Sequence, residues 1–415
     1  MNESISLYTD PSSMEPLFPE DEKNVLSSLA LELIEKSAKL SGTMNPNTRN
    51  AISSFLRPMN SYYSNLIEGH NTSPIDIEKA LKKDFSDNKE KRDLQKEAKA
   101  HIKLHAEIEA ELKTENNNTI PSKSEYIKTI HKRFYKHLPE TFLNINTENG
   151  ETKTIIPGKY RIEEVKVGNH IAPHFKCLDD FMSRFEYFYN QSSKPNHFKV
   201  KRIISIAASH HRLAWVHPFL DGNGRVVRLF SDACFFYENL DASGLWSISR
   251  GLARNKETYY TLLAHADKKR YNNYDGRGNL SDKALFEFCK FFLETAIDQL
   301  EYMYSIIDTE NMLNRIEAFA DLMILKKRFK KEAKYILTTV FLKGKMTKTE
   351  AMQITNTSDK TLKAITDNLI KMELLESKKI GIHVYYFAKY PIKYSPVLFP
   401  GIYPSDRETE MMMNI

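Results

Sequence analysis

Twelve consecutive residues, HPFLDGNGRVVR from His217 to Arg228, hold an imidazole, a carboxylate, a Gly-Asn-Gly turn and two guanidinium groups. A neutral imidazole can take a proton from an attacking hydroxyl. A glycine turn opening a helix offers backbone N–H groups to an anion, most naturally phosphate. Arg225 and Arg228 stand three apart, on one face of that first turn. Cations there oppose the helix dipole by roughly 0.3–1 kcal/mol each, and a polyphosphate would reverse the sign. Asp221, next to the turn, suits Mg2+ beside phosphate oxygens. Together the parts describe phosphoryl or nucleotidyl transfer, with His217 as base.

Other chemistries fit less well. No Lys-Ser/Thr follows the glycines, so this is not a P-loop. A zinc site from His210, His211 and His217 has no usual helical ligand spacing. The plain alternative is a helix-turn-helix corner with surface arginines.

The elements that must carry these residues read as helices. KRIISIAASHHRLAWVHPF is a long amphipathic run, which sets His217 at or just beyond a helix end, and RVVRLFSDACFFYENL restarts a helix at about Arg225. Residues 1 to 24 have no periodicity and read as a tether or loose wrap. Helical spacing starts near Asn24, and a second helix over 47–69 is expected to break or kink at Pro58. Residues 75–115 predict one or two charged helices with solvated faces. Residues 152–175, with β-branched alternation, two glycines and two prolines, predict a short hairpin or flap. Helical periodicity returns over 178–240 and 257–328. Three short amphipathic helices and KKIGIHVYYFA then describe a winged helix-turn-helix.

The fold class expected is therefore mainly α, with a β flap and a C-terminal winged helix-turn-helix. The domains expected are an N-terminal helical region over 1–100, a core over 101–325, the winged helix over 326–395 and a tail over 396–415. The net charge is +6 over 415 residues, yet residues 326–390 hold 15 Lys/Arg against 6 Asp/Glu. Such a surplus favours a DNA or protein partner there, with Lys360 and Lys363 on the recognition helix. No run approaches eighteen apolar residues, so no membrane partner is expected. The opening residues lack a leader pattern and the three cysteines are scattered, as in a reduced, cytoplasmic protein.

HPFLDGNGRVVR resembles the Fic signature H-x-F-x-D/E-G-N-G-R-x-x-R at every specified position. GKYRIEEVKVGNHIAPHF resembles that family's flap, and residues from about 100 to 300 resemble its all-helical core. The resemblance implies protein adenylylation (AMPylation), transfer of AMP from ATP to a Ser, Thr or Tyr hydroxyl of a protein, this chain included. It assigns His217 as base, Asp221 as Mg2+ ligand, and Gly222, Asn223 and Gly224 to the α-phosphate. Arg225 would hold the remaining phosphates and Arg228 the γ-phosphate, with Phe219 anchoring the loop. Val167, Gly168, Asn169 and His170 would line the nucleotide and position the target. Tyr259 and Tyr260 would border the base, ordinary core packing being the alternative. Asp267 stands where relatives often carry Asn.

YYSNLIEGHN, Tyr62 to Asn71, resembles the family's inhibitory motif S/T-x-x-x-E-G/N through Ser64, Glu68 and Gly69. It implies that Glu68 forms a bidentate pair with Arg228 and displaces the γ-phosphate. The alternatives left open are removal of AMP or transfer of another phosphate-bearing group by the same site, a mainly DNA-binding regulator, and a homodimer.

Overall fold

The computed structural model describes residues 8–114, 118–146, 150–168, 170–192 and 199–413. Helices α1 (Val25–Ser41), α2 (Pro46–Ile67), α3 (Pro74–Leu81), α4 (Lys89–Leu112) and α5 (Ser124–Lys136) open the chain. Strands β1 (Asn144–Asn146) and β2 (Thr152–Thr154) pair antiparallel, as do β3 (Lys166–Val167) and β4 (His170–Ile171). Helices α6 (Leu178–Ser192), α7 (Lys199–Val216), α8 (Asn223–Tyr237), α9 (Ile248–Arg254), α10 (Lys256–Ala266), α11 (Asp282–Ile307) and α12 (Thr309–Leu325) follow. The fold is mainly α, as expected.

Helix α11 is the central strut. Its buried positions Leu285, Phe288, Phe292, Ala296 and Leu300 recur at helical spacing. They pack it against α1, α7, α9 and α10. Ser281 starts it cleanly, its side chain accepting the Ala284 N–H.

The C-terminal part contains α13 (Ala333–Lys343), β5 (Met346–Thr347), α14 (Lys348–Thr355), α15 (Asp359–Lys371), β6 (Leu375–Ile380) and β7 (His383–Ala388). Thr347 and Glu350 close a reciprocal capping box on α14, and Ser358 caps α15. The strand order is β5-β7-β6. Two more helices, α16 (Ser395–Leu398) and α17 (Ser405–Met412), lie beyond it.

Three local expectations change. First, α2 runs unbroken through Pro58. Proline removes one helix hydrogen bond, but Phe55, Leu56, Met59, Tyr62 and Tyr63 are buried on either side and hold both halves in register. Second, the opening stretch is pinned. Met14 and Leu17 are buried, Glu15 pairs with Arg184, and Tyr189 donates to the Leu17 carbonyl at 2.7 Å. Third, α4 is not simply solvated, because Gln95, Glu97, His101, His105 and Glu109 turn inward.

Helix α2 also joins the chain's two ends. Near its start, Thr48 donates to the Phe341 carbonyl of α13 at 2.6 Å, and β7 packs on it. Further along, Phe55 stacks on Phe399 at 4.5 Å, and Tyr63 donates to the Ile402 carbonyl at 2.8 Å. Residues 396–412, without a periodic pattern, are thus folded against α2.

Candidate active site

The loop between α7 and α8 is built by its own side chains. Asn223 accepts the Phe219 N–H at 2.9 Å and donates to the Phe219 carbonyl at 2.8 Å. Phe219 is fully buried and stacks on His131 at 4.0 Å. Its anchoring role fits, whereas the Asn223 side chain is committed to the loop and only its backbone is left for an anion. Gly222 caps α8 with φ +79°, a left-handed conformation that favours glycine. Tyr135 leaves little room there, since a Cβ would lie 3.1 Å from its hydroxyl.

His217 sits at φ +48°, just after α7. Arg161 fixes this turn, donating its N–H to the Pro218 carbonyl at 2.9 Å and its Nε–H to the His217 carbonyl at 3.0 Å. Burial, helped by the nearby Arg161 cation, pushes the His217 imidazole down to about 4. It is therefore neutral at pH 7, the state a general base needs. Arg161 itself falls to about 10 through burial.

Arg225 is buried and faces Glu97 of α4 at 3.3 Å. Its Nη1 makes that contact and its Nε is buried without a hydrogen-bond acceptor, so this guanidinium has a donor to spare. Asp221 is 43% exposed, accepts from the Tyr135 hydroxyl at 2.9 Å, and lies 3.9 Å from Arg225. Asp221, Arg225, Glu68, His70 and Glu97 line one open cavity of about 550 Å3, of which His217 is not a lining residue. An orphaned donor beside an exposed carboxylate fits an anion with a divalent cation.

Among the described residues no cluster of three or more His, Cys, Asp or Glu could hold a metal. A single carboxylate suits Mg2+, which keeps waters and shares phosphate oxygens. His210 is bonded to Ser231 and Tyr259, and His211 to the Leu263 carbonyl, so these nitrogens are committed.

Arg228 is 2% exposed and is engaged by the end of α2. Its Nε donates to Ser64 Oγ at 2.9 Å, and its Nη2 to the Ser64 carbonyl at 3.1 Å and to Glu68 Oε1 at 2.6 Å. The pair is thus not bidentate: one Glu68 oxygen meets Nη2, which also serves the Ser64 carbonyl, while Nε goes to Ser64 Oγ. Burial pulls the Glu68 carboxyl up, but Arg228, Arg225 and His70 outweigh it and hold it below the usual range. The same carboxylate presses on the turn, for a Cβ on Gly224 would lie 2.3 Å from Glu68 Oε1.

Helix α2 stops just where Glu68 is needed. Gly69, at φ +87°, donates to the Leu66 carbonyl at 3.1 Å, and His70 donates to the Asn65 carbonyl at 2.9 Å, a Schellman ending. Tyr260 steadies it, its hydroxyl donating to the Ile67 carbonyl at 3.1 Å. Tyr260 is 44% exposed, while Tyr259 is buried with its hydroxyl on His210. On the flap, Val167 is exposed, Gly168 has φ +58° and the His170 ring nitrogen meets the Trp215 carbonyl at 2.7 Å. Asn169 lies outside the described residues.

Sequence reading missed Glu97, His70 and Tyr135. Glu97 also takes the His70 Nδ1 at 2.7 Å, a contact that lifts the His70 pKa. A buried acid on a lysine-rich helix has no local signal. Arg161 stood in the flap element but without a role.

Residues 121–234 match the model of the Fic/DOC family. Proteins named Protein adenylyltransferase Fic from Culex quinquefasciatus and Drosophila erecta are each 38% identical to the chain over 80 and 81 residues. These matches cover 19% of this chain and 15% and 16% of those proteins, so the chain spans a small part of these curated relatives. A crystal structure of a Fic family protein from Desulfovibrio desulfuricans G20 superimposes with TM-score 0.52 and 14% identity, covering 90% of this chain and 98% of that one. Fic-1 from C. elegans gives TM-score 0.52 and 14% identity, covering 69% of this chain and 74% of that one. The fold is that of the Fic proteins. The family model is placed on the very loop described above, so residues 121–234 form a domain of the Fic/DOC type.

Proposed function

We propose that the chain transfers AMP from ATP to a Ser, Thr or Tyr hydroxyl of a protein, and that Glu68 restrains this activity. The observation that carries the reading is the uncharged His217 beside a glycine turn that opens onto two buried guanidiniums, Arg225 and Arg228. The relatives' names supply the group transferred.

In the reaction, His217 takes the proton of the target hydroxyl. Its oxygen forms a bond to the α-phosphorus, the bond to the β-phosphate bridging oxygen breaks, and pyrophosphate leaves. Backbone N–H groups at the Gly222–Gly224 turn face the α-phosphate, and the spare Nε donor of Arg225 takes a neighbouring phosphate. Asp221 would hold Mg2+, which supplies charge to the phosphate oxygens.

Arg228 completes the anion site only when released. While Glu68 holds it, a γ-phosphate meets a carboxylate instead of a guanidinium, and ATP settles with its α-phosphate out of line. Residues 101–325 then serve as the catalytic core, 1–100 carry the restraint in residues 64–69, and 326–395 form a winged helix-turn-helix. The test is incubation with Mg2+ and ATP labelled at the α-phosphate, followed by intact-mass measurement. A gain of one AMP on the chain or a co-incubated protein is expected with Glu68→Gly. No gain on any protein offered, by a variant that binds ATP, would refute the reading.

A further inference from the structure

The C-terminal elements turn one side to α2 and another to solvent. Helix α13 and strand β7 take the α2 side. Helix α15 packs on α13, α14 and β6 through buried Leu362, Ile365 and Leu369. Its outer face shows Lys360, Lys363, Ala364, Asp367 and Lys371 to solvent.

A second cationic group lies alongside. The turn between α12 and α13 exposes Lys326, Lys327, Arg328, Lys330 and Lys331. Asn368 of α15 donates its Nδ2–H to the Arg328 carbonyl at 2.9 Å, so turn and helix are fixed to each other. Lys379 of β6 is exposed too. None of these cations has an ion-pair partner among the described residues.

The acids nearby are mostly spoken for. Glu350 caps α14 and pairs with Lys343, Asp359 pairs with Lys348, Glu373 with Lys82 and Glu376 with Lys378. Asp367, on the exposed face of α15, opposes the field. The cations that remain sit on solvent-facing α15, on the turn bonded to it and on β6, which packs against it.

We propose that this surface binds duplex DNA, with α15 in the major groove, the 326–331 turn on the phosphates at one side and the β6–β7 wing at the other. An unneutralised cation gains by releasing condensed counterions from a phosphate backbone. The major groove of B-form DNA admits a helix, whereas that of A-form RNA is too narrow. Cations on the helix, on the turn bonded to it and on the adjoining strand β6 suit the two backbones that border a groove. The inference stands apart from the nucleotide chemistry and does not depend on it.

The experiment uses the full chain and a fluorescently labelled mixed-sequence DNA duplex, read by anisotropy at rising salt. Binding at low salt is expected, falling steeply as salt rises. Lys360→Glu with Lys363→Glu is expected to weaken it at least about tenfold and to flatten the salt slope by about 0.9 for each phosphate no longer neutralised. Lys326→Glu with Lys327→Glu acts in the same sense. All four side chains are exposed, so circular dichroism and melting confirm that the variants fold. Failure of the folded wild type to bind duplex at low salt would overturn the proposal. So would unchanged binding by the Lys360/Lys363 pair, or displacement of the duplex by polyglutamate as readily as by unlabelled duplex, which would mark an acidic protein as the ligand.

Discussion

Glu68 Oε1 lies 2.6 Å from Nη2 of Arg228, 160 positions further along the chain. Each charge is misplaced on its own helix. Glu68 caps the C-terminus of α2, where an acid meets the negative end of the dipole, and Arg228 rides the first turns of α8, where a cation meets the positive end. Together they offset one another. An anion that binds Arg228 more strongly than Glu68 does would displace the carboxylate.

Replacing Glu68 is therefore the sharpest change. Glu68→Gly is expected to raise AMP incorporation at least about tenfold, equivalent to about 1.4 kcal/mol, with ATP affinity altered much less. Ser64→Ala should give a smaller rise, because it removes the acceptor for Arg228 Nε but keeps the carboxylate. Intact-mass measurement over time checks both, and equal or lower incorporation by folded Glu68→Gly would refute restraint through this residue.

His217→Ala should reduce incorporation by about 10²–10⁴-fold in the Glu68→Gly background. Its backbone is left-handed, at φ +48°, a conformation alanine resists and asparagine accepts more readily. His217→Asn is thus the control, inactive yet folded and still binding ATP by calorimetry. With its pKa held near 4, His217 is unprotonated at pH 7, so incorporation should lose this base only as pH falls through about 4. A loss centred near 6.5, the ordinary value for histidine, would show that the base is not in this environment.

Gly224 tests whether the carboxylate and the phosphate compete for one place. Its φ is ordinary, so Gly224→Ala strains no backbone, and the added Cβ collides with Glu68 Oε1. The variant should melt lower than wild type by a few degrees. Adding Glu68→Gly should restore the melting temperature without restoring incorporation, since the Cβ still blocks the approach of phosphate. Recovery of full incorporation in the double variant would separate the two places.

Stability should fall on acidification through buried histidines, for burial lowers the pKa of His101, His131, His210, His211 and His217 alike. His131 and His217 are both held near 4 by burial against an ordinary 6.5. The unfolded chain takes up their protons first, so their contribution is complete above 6.5 and is lost as pH falls towards 4. His70 acts in the opposite sense and outside this window: its pKa is raised, so its contribution is lost as pH rises above 6.5. Urea midpoints should therefore drop from neutral pH to about pH 5, and less so in His131→Asn. An equal drop in that variant would remove His131 from the effect.

The parts of this site that are legible in the sequence are those carried by contiguous residues. The His217–Arg228 loop, the Ser64–Glu68 spacing and the glycine stop at Gly69 all show in the letters, because local geometry suffices to place them. Glu97 and Tyr135 do not show, because their roles arise only when α4 and α5 pack beside α8. The unbroken α2 is hidden for the same reason. Proline propensity argues for a break at Pro58, and burial on both sides overrides it. Charge alone argues for a second oxygen of Glu68 on Arg228, but one oxygen meets Nη2 and Nε goes to the neighbouring serine hydroxyl.

Helix α2 has 22 residues, about 33 Å at 1.5 Å per residue. One end is fastened to the basic C-terminal unit and the other closes on Arg228. If a ligand at one end tilts this rod, the change is felt at the other, and equally in reverse. On the reading proposed above the two sites are expected to be linked: a nucleotide that frees Arg228 should change how α13 and β7 are held, and a ligand on the C-terminal face should change how firmly Arg228 is kept.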